Sequence, residues 1–299
     1  MKNKVTVTIG IAAFNEENNI KNVLVDCLLQ SEVNFHLEKI IVYSDGSSDN
    51  TVKNVFEVVS RKVSVIDGVY RKGKAAGINA ILKASTSDFL IFFDADVRIY
   101  DRKLIEKLLK KFSEKNVALV GGNTLPEKPN SFFQRAVNST FNVFNESRLK
   151  LKGGNNVFGC TGGCLGLRKS FYKKLQLPRI VNDDDFIYFS ALKMGYKFSY
   201  TKNAKVYYKL PSHLKDYLKQ CFRSNPQAVV INMEKLFGEL VSKEYERPKM
   251  FYFMSIAKQL LKHPLETLYI IFVNAVLLPL YPLVVRRYKM EWFTAFSTK

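Results

Sequence analysis

The stretch Phe89-Leu-Ile-Phe-Phe-Asp94-Ala-Asp96-Val97 is an apolar run that leads directly into two carboxylates one residue apart. The run predicts a buried strand. Side chains alternate between the two faces of a strand, so Asp94 and Asp96 point the same way if the strand continues through them. Two such carboxylates suit a hard divalent cation such as Mg²⁺ or Mn²⁺, which binds oxygen ligands and often bridges phosphates. The alternative is a strand end whose acidic residues turn into solvent.

Strand-like and helix-like segments alternate on both sides of this run, between residues 5 and 123. The predicted order is strand 5–12, helix 17–30, strand 39–43, helix 50–60, strand 63–66, helix 75–84 and strand 89–93. This alternation predicts an α/β fold with a mostly parallel twisted sheet flanked by helices. Ligands of such sheets bind beyond the carboxyl ends of the strands, where Asn15-Glu16, Asp45-Gly46-Ser47 and the acidic pair all fall. We therefore expect these polar clusters to share one edge of the sheet.

The composition narrows the class of partner. The chain has 299 residues, with 46 Lys and Arg against 27 Asp and Glu, a net charge of +19. That excess suits a phosphorylated substrate, anionic lipid or nucleic acid. The basic residues are scattered, and no zinc-finger or RNA-binding signature is present, so nucleic acid is not an expected partner.

The cysteines and the N-terminus give two further expectations. Cys160 and Cys164 lie in a Gly-rich apolar run, and no two of the four cysteines have CxxC spacing, so we expect buried thiols rather than a zinc site. The N-terminus leads straight into Val5–Ile9 without a charged leader and an apolar segment. No signal peptide is expected, and the catalytic part should face the cytoplasm.

The C-terminal part has a different character. Residues 268–285 carry no charge, and Arg286 and Arg287 follow them. This length is at the lower bound for a spanning helix, which needs about 20 residues. Residues 250–261 are amphipathic and rich in aromatic side chains, which is typical of a helix at a membrane interface. We expect a catalytic domain over 1–225 and a helical, membrane-associated segment over 226–299 that either spans or lies in the lipid; a buried core helix is the alternative.

Four ordered motifs resemble those of the inverting family 2 glycosyltransferases with the nucleotide-diphosphosugar transferase (GT-A) fold. They are Ile11-Ala-Ala-Phe14-Asn15-Glu16-Glu17, Ser44-Asp45-Gly46-Ser47-Ser48-Asp49-Asn50-Thr51, Arg71-Lys72-Gly73-Lys74 with Asn79, and Asp94-Ala-Asp96. The resemblance extends over about residues 5–225. It implies a GT-A fold, a nucleotide-sugar donor and a divalent metal, Mg²⁺ or Mn²⁺.

The resemblance also implies which residues form the donor site. The nucleotide-sugar site is expected to contain Ala13, Asn15, Glu16, Asp45, Arg71, Lys74, Asn79, Asp94, Ala95 and Asp96. Asp96 is favoured over Asp94 as the direct metal ligand, and Lys74 or Arg71 would supply further positive charge to the leaving diphosphate. Two alternatives stay open: Asp45 could belong to an ordinary turn, and Lys74 could be a solvated helix residue.

The acceptor side carries the chemistry of proton removal. Gly162 and Gly163 are similar to the family's Gly-rich acceptor segment, although a tight strand packed against the sheet explains them equally well. Asp183-Asp184-Asp185, followed by Gly195-Tyr196, resembles the acidic motif that carries the general base. Counting back one helix from Gly195 selects Asp183-Asp184, which makes Asp184 the base, with Asp185 as the fallback. Helix N-termini are also enriched in Asp for purely structural reasons.

One further motif bears on the acceptor. Gln220 and Arg223 resemble the Gln-x-x-Arg element that lies over the acceptor or the diphosphate in membrane-associated members. The Trp that usually follows is Ser224 here, which disfavours a processive polysaccharide synthase. We therefore expect transfer of one sugar from a UDP- or GDP-sugar to a lipid-linked or membrane-presented acceptor.

Four alternatives remain open. They are a processive synthase, a polyprenyl-phosphate sugar synthase, a nucleotidyltransferase and a non-enzymatic, nucleotide-binding membrane protein. A nucleotidyltransferase normally has a Gly-rich phosphate loop near residues 9–16. Here Gly10 is the single glycine of that segment, which disfavours a nucleotidyltransferase.

Overall fold

The computed structural model describes residues 4–223 and 226–277, together with residues 280 and 298. The chain divides into two compact units. The sheet unit comprises residues 4–125 and 157–208, and the helical unit comprises residues 126–156 with the described residues that follow Tyr208. The expected division of the chain at residue 225 stays a prediction.

The sheet unit is built on eight strands in the order β3-β2-β1-β4-β7-β6-β8-β5. The strands are β1 Val5–Ala13, β2 Phe35–Ser44, β3 Val63–Asp67, β4 Phe89–Asp94, β5 Val97–Arg98, β6 Val117–Pro126, β7 Cys164–Arg168 and β8 Lys197–Tyr208. Strands β1 to β4 pair in parallel, whereas β7 is antiparallel to β4 and β6, and β5 is antiparallel to β8. The sheet is therefore mixed. The parallel prediction is correct for β1 to β4 and wrong for the pairings of β7 and β5. Helices still separate the later strands along the chain, so the alternation of strands and helices did not decide the direction of pairing.

The helices of the sheet unit flank this sheet. They are α1 Ile20–Leu28, α2 Thr51–Phe56, α3 Lys74–Ala84, α4 Leu104–Leu109, α6 Lys169–Tyr172 and α7 Asp183–Lys193, with 3-10 turns at Lys110–Ser113 and Val157–Gly159. The core lies along β1 and β4, where Ile9, Ile11 and Ile91 are completely buried. Strands covered on both faces are continuously apolar. In β4 burial stops at Asp94, so the polar site begins where the core ends.

The helical unit contains the remaining helices. They are α5 Phe132–Lys150, α8 Leu214–Arg223, α9 Pro226–Phe237, α10 Glu239–Tyr245, α11 Lys249–Lys262 and α12 Pro264–Leu277, with a 3-10 turn at Lys152–Gly154. Both α11 and α12 pack against α5. The hydroxyl of Ser131 caps α5 by accepting a hydrogen bond from the Gln134 backbone N–H at 3.1 Å.

The apolar segment at 268–285 is described only in part. Helix α12 covers its first ten residues, whereas residues 278–279 and 281–285 lie outside the described part of the chain. Among the helices that are described, none combines the length and the apolar character needed to cross a bilayer. The expected membrane association therefore stays a prediction.

Candidate active site

An ion pair joins the end of β4 to the starts of two helices. Lys74, the first residue of α3, places its Nζ 2.7 Å from Oδ1 of Asp94 and 3.2 Å from Oδ2 of Asp183, the first residue of α7. Burial disfavours the ammonium, but the charges of Asp183 and Asp94 outweigh burial and raise the pKa of Lys74. A permanent cation thus lies among the carboxylates at the carboxyl end of the sheet.

The first turn of α7 presents the acidic run. Asp183, Asp184 and Asp185 all lie there, where the helix dipole favours negative charge. The side chain of Asp184 is held by two backbone donors: the Gly162 N–H, 3.2 Å from Oδ2, and the Asp185 N–H, 3.1 Å from Oδ1. These bonds orient a half-buried carboxylate next to the Lys74 ion pair.

The protonation of these carboxylates is perturbed in the direction that a base requires. Burial and the charge of Asp183 raise the pKa of Asp184 to about 6, although Lys74 opposes the shift. Burial also raises the pKa of Asp183, with Asp94 adding to the effect and Lys74 opposing it. A carboxylate with such a pKa is ionised at neutral pH and still basic enough to accept a proton in a transition state.

The Gly-rich loop before β7 lies directly against the ion pair. A Cβ added at Gly162 would be 2.8 Å from Nζ of Lys74 and 3.3 Å from Oδ2 of Asp94. A Cβ at Gly163 would be 2.8 Å from the side chain of Thr124, whose hydroxyl is 2.9 Å from that of Thr161. The loop backbone therefore lies close to side chains of the chain itself, Lys74, Asp94 and Thr124. A contact between Gly162 or Gly163 and the acceptor stays a prediction.

Cys160 also contacts the predicted base, a contact that the sequence did not indicate. Its Sγ lies 3.5 Å from the backbone oxygen of Asp184, and its side chain is buried. Burial, reinforced by the charge of Asp184, raises the pKa of the thiol well above its ordinary value. The thiol of Cys160 is thus neutral and donates to the backbone carbonyl oxygen of Asp184. Its burial and that of Cys164 confirm the expectation of buried thiols.

Asp45, after β2, holds the basic loop, residues 71–73, in place. Its Oδ1 accepts a hydrogen bond from the Lys72 backbone N–H at 2.7 Å, and its Oδ2 accepts one from the Gly73 N–H at 2.8 Å. Its own N–H donates to the carbonyl oxygen of Ala13 at 2.8 Å. Each carboxylate oxygen has further lone pairs. These hydrogen bonds give Asp45 a structural role. A contact between Asp45 and the nucleotide stays a prediction.

The turns after β1 and β2 are bonded to each other. Asn15 has a left-handed φ of 51°, its N–H donates to the Ser47 hydroxyl at 3.1 Å, and its Oδ1 accepts from the Ser48 N–H at 2.8 Å. The Glu16 N–H donates to the Thr51 hydroxyl at 2.7 Å. The first two predicted motifs therefore form one connected surface at the sheet edge.

Arg71 stacks on the ring of Phe14, which is not one of the predicted site residues. Its Cζ lies 4.0 Å from the centroid of the Phe14 ring, a cation–π contact. Phe14 directly precedes Asn15 in the first motif, so the same edge carries a planar guanidinium on a planar ring.

Asn79 serves a structural purpose. Its Nδ2 donates to the backbone oxygen of Leu177 at 2.8 Å, and its Oδ1 accepts from the Leu177 N–H at 2.9 Å. These bonds tie α3 to the segment before α7. A contact between Asn79 and the nucleotide stays a prediction.

The geometry of the acidic pair differs from a continuous strand. Strand β4 ends at Asp94, while Ala95 is buried in a turn with Asp96. The condition for both carboxylates to share a strand face is therefore not met. Tertiary contacts, rather than strand alternation, orient Asp94, since Lys74 binds its Oδ1.

The residues fit a metal that is shared with a substrate. In residues 4–223 and 226–277 no three Asp, Glu, His or Cys side chains gather closely enough to hold a metal ion. Mg²⁺ in phosphate-transfer sites is bound by one or two carboxylates together with substrate phosphates, so a smaller donor set suffices. The hard oxygens of Asp94 and Asp96 fit this pattern. Lys74 is a counter-ion of Asp94, and the expected role of Asp96 as the direct ligand stays a prediction.

Gln220 and Arg223 lie on α8 in the helical unit. Their predicted place over the acceptor or the diphosphate stays a prediction. The geometry of the sheet unit by itself brings together Lys74, Asp94, Gly162, Asp183 and Asp184.

Known proteins that are similar to this chain are glycosyltransferases. A family model described as "Glycosyl transferase family 2" matches residues 8–176. The chain is 26% identical over 189 residues to the UDP-Glc:alpha-D-GlcNAc-diphosphoundecaprenol beta-1,3-glucosyltransferase WfgD of Escherichia coli, covering 62% of this chain and 70% of that one. It is 28% identical over 210 residues to the O-antigen chain rhamnosyltransferase RfbN of Salmonella typhimurium, covering 67% and 65%. The chain thus spans about two thirds of the length of these relatives.

Solved structures show the fold. The mannosyltransferase PcManGT from Pyrobaculum calidifontis, in complex with GDP-Man and Mn²⁺, matches with a TM-score of 0.60 and 18% identity, covering 93% of this chain and 76% of that one. Residues 1–349 of TarS from S. aureus match with a TM-score of 0.52 and 16% identity, covering 77% and 65%. At these identities the likeness establishes a GT-A-like α/β fold with a curled mixed sheet.

Proposed function

Since the chain belongs to glycosyl transferase family 2, we propose that it is an inverting, metal-dependent glycosyltransferase. It moves one sugar from a UDP- or GDP-sugar to a lipid-linked or membrane-presented acceptor in glycan assembly. The observation that carries the proposal is the Asp184 carboxylate, held by two backbone N–H groups beside the Lys74–Asp94 ion pair. The names of the relatives, one of which uses a diphosphoundecaprenol-linked sugar, support the class of acceptor.

The proposed reaction is one displacement. Asp184 accepts the proton of an acceptor hydroxyl, and the oxygen attacks the anomeric carbon from the face opposite the diphosphate. As the new C–O bond forms, the bond to the diphosphate breaks, and its electron pair leaves with the nucleoside diphosphate. The configuration at the anomeric carbon is therefore inverted.

The leaving group needs positive charge. The ammonium of Lys74, whose pKa its carboxylate partners raise, has three N–H groups and can donate to Asp94, to Asp183 and to a diphosphate oxygen. Arg71 supplies a second cation at the same edge of the sheet. A divalent cation bound by Asp96 and Asp94 would supply further charge against the diphosphate, and the neighbour that holds GDP-Man with Mn²⁺ supports its use.

The proposed location is the membrane surface, with the sheet unit on the cytoplasmic side. Support comes from the apolar character of residues 268–285 and from the basic residues on both sides of them. Fractionation of cells that express the full chain tests this location: recovery only in the soluble fraction would contradict it.

The test of function uses the detergent-purified full chain with Mg²⁺ or Mn²⁺ and a panel of UDP- and GDP-sugars. We expect metal-dependent release of nucleoside diphosphate from one donor and transfer of a single sugar to a lipid-linked acceptor. Asp184→Asn should lower the rate about 10²- to 10⁴-fold, the usual contribution of a general base. Asp96→Ala should abolish the metal dependence together with most of the activity.

Asp185→Asn is the matched control, because it makes the same change one residue along the same helical turn. Full activity in Asp184→Asn with loss in Asp185→Asn would transfer the role of base to the fallback residue. Long polymer as product would show a processive synthase. Binding of nucleotide without release, with every acceptor tried, would favour the non-enzymatic alternative.

A further inference from the structure

Helices α11 and α12 have an inverted distribution of polar and apolar side chains. In α11 the polar residues Ser255 and Gln259 are buried, whereas Phe253 is 65% and Leu261 is 88% exposed. A surface helix of a water-soluble domain has the opposite arrangement, with its apolar stripe towards the core. In α12 the pattern is similar, since Thr267 is buried along with Ile270. Among the described side chains of the two helices, ten large ones are at least 40% exposed, including Phe253, Leu261, Leu265, Leu268 and Phe272.

Polar contacts attach these helices to the rest of the helical unit. Gln259 bonds to both Asn142 and Glu146 of α5, at 3.3 and 3.4 Å, and Lys258 pairs with Glu146 at 2.9 Å. Arg135 of α5 pairs with Glu266 of α12 at 3.0 Å. Polar bonds thus hold the inner side of α11, and on α12 they act together with ring contacts of Tyr269 with Phe132 and Phe133. Large apolar side chains are left on the outer sides of both helices. This arrangement is stable where the outer surroundings are apolar.

A cationic groove lies beside the exposed face. It has a volume of about 500 Å³, and its walls include Phe144, Arg247, Lys249, Phe251 and Tyr252. The described residues that line it include two cations and no Asp or Glu. The Cζ of Arg247 lies 5.8 Å from the centroid of the Phe144 ring. The groove therefore combines positive charge with aromatic walls.

The charge of the groove is partly withdrawn from water. Burial lowers the pKa of Arg247, against the opposing influence of Tyr252 and Tyr245, yet a guanidinium remains charged. A desolvated cation gains more from an anion than an exposed one does. Outside the groove, Lys150 lies 5.9 Å from the ring centroid of Phe251 and adds to the positive field.

We propose that α11 and α12 lie in the interface of a membrane and that the groove at Arg247 and Lys249 binds the phosphate headgroup of an anionic phospholipid. The groove supplies cations for the phosphate, and the exposed face of α11 supplies an apolar surface for the acyl chains. A free phosphate ion would account for the cations but not for the apolar helices. This proposal deepens the proposed membrane location and is independent of sugar transfer.

The test is flotation of the full chain with vesicles of phosphatidylcholine alone or of phosphatidylcholine with phosphatidylglycerol. We expect tighter binding to the anionic vesicles. Arg247→Gln and Lys249→Gln should each weaken that binding about five-fold, the effect of one basic residue at a membrane surface, and leave binding to the neutral vesicles unchanged. Lys262→Gln removes the same charge at the other end of α11 and is the matched control. An equal loss in all three variants would show diffuse attraction and overturn the groove site.

A second pair of variants tests the apolar face. Phe253→Ser with Phe272→Ser should weaken binding to both kinds of vesicle, because the changes remove apolar area and no charge. Binding of glycerol phosphate without lipid that is as tight as binding to the anionic vesicles would identify an ordinary anion site, and a dimer of defined size that hides the face and binds no vesicles would identify a second copy; either result would overturn the proposal. Asp184→Asn should bind vesicles like the unaltered chain, so failure of the transfer chemistry and failure of lipid binding are seen separately.

Discussion

Single side chains decide the chemistry at the candidate site, and Lys74 has the central position among them. Its Nζ forms ion pairs with a carboxylate oxygen of Asp94 at 2.7 Å and with one of Asp183 at 3.2 Å. Breaking a buried ion pair leaves an uncompensated charge and costs about 3–5 kcal/mol. The Lys74 side chain is only 15% exposed, so the structure does not show the solvated helix residue of the alternative, and its contact with a donor diphosphate stays a prediction.

The rate of transfer should depend on the protonation of Asp184. Its pKa is raised to about 6, so the carboxylate is ionised above that pH and protonated below it. A general base works only when unprotonated, so kcat/KM should rise about tenfold per pH unit below pH 6 and level off above it. A pH–rate profile with a saturating donor and metal checks this. A profile without any change between pH 5 and 8 would remove Asp184 from the role of base.

Gly162→Ala should damage activity more than stability. The added Cβ would be 2.8 Å from Nζ of Lys74, which two carboxylates hold in place and which cannot move away freely. We expect overpacking to cost about 1–3 kcal/mol. A displacement of about 1 Å in the positioned groups should lower kcat about 10²-fold.

Thermal unfolding and initial rates of the same Gly162→Ala preparation check this prediction. Gly153→Ala is the control, because Gly153 has a left-handed φ of 61° with open space around its Cβ position. It should lose stability through backbone strain and retain activity. Equal activity in the two variants would show that the close approach at Gly162 has no catalytic consequence.

The elements of the sheet unit place the site through the ends of β1, β2 and β4. All three strands run in parallel, so their carboxyl ends meet at one edge, and the turns there are bonded together through Asn15 and Asp45. The order of these strands is the predicted one, and the bounds of β1 and β4 agree with the prediction to within one residue, whereas β2 has ten residues where five were predicted. The antiparallel strands β7 and β8 were not predicted in detail, because their pairing depends on partners far away in the chain.

Asp45→Asn should loosen the basic loop. Asp45 accepts from the backbone N–H groups of both Lys72 and Gly73, and an amide has only one oxygen to offer. The two N–H groups are part-buried, so leaving one unsatisfied should cost at most about 1–3 kcal/mol, the penalty for a fully buried group. We expect a lower Tm, faster hydrogen exchange at Lys72 and Gly73, and weaker nucleotide binding. Asp67→Asn, at the exposed end of β3, should change none of these; the same effects in both variants would show that the Asp45 tether is unimportant.

At the scale of the whole molecule, charge and apolar exposure are the features that bear on the proposed membrane location. The net charge of +19 and the apolar outer sides of α11 and α12 both favour an anionic lipid surface. An apolar surface of this kind is unfavourable in water unless something covers it.

Replacing exposed apolar side chains should change solubility without changing stability. In detergent-free buffer the unaltered chain should self-associate, and Phe253→Ser combined with Leu261→Ser should reduce this association. Both side chains are mostly exposed, so the free energy of unfolding should change by no more than about 0.5 kcal/mol for each replacement. Light scattering and thermal unfolding measure the two effects. A large fall in Tm would show that these side chains are packed in a core.

Local patterns in the sequence determined the order of strands and helices up to β4 and the family. An apolar run ending in Asp94, turns rich in Asn, Asp and Gly, and ordered motifs are all short-range features, and the family match confirms the resemblance that they carry. Only the tertiary structure decided which groups meet. The contacts of Lys74 with Asp183, of Cys160 with Asp184 and of Gly162 with the ion pair join residues 20 or more positions apart. The inverted polarity of α11 likewise depends on which side packs against α5, since periodicity shows that a helix is amphipathic but not which side is covered.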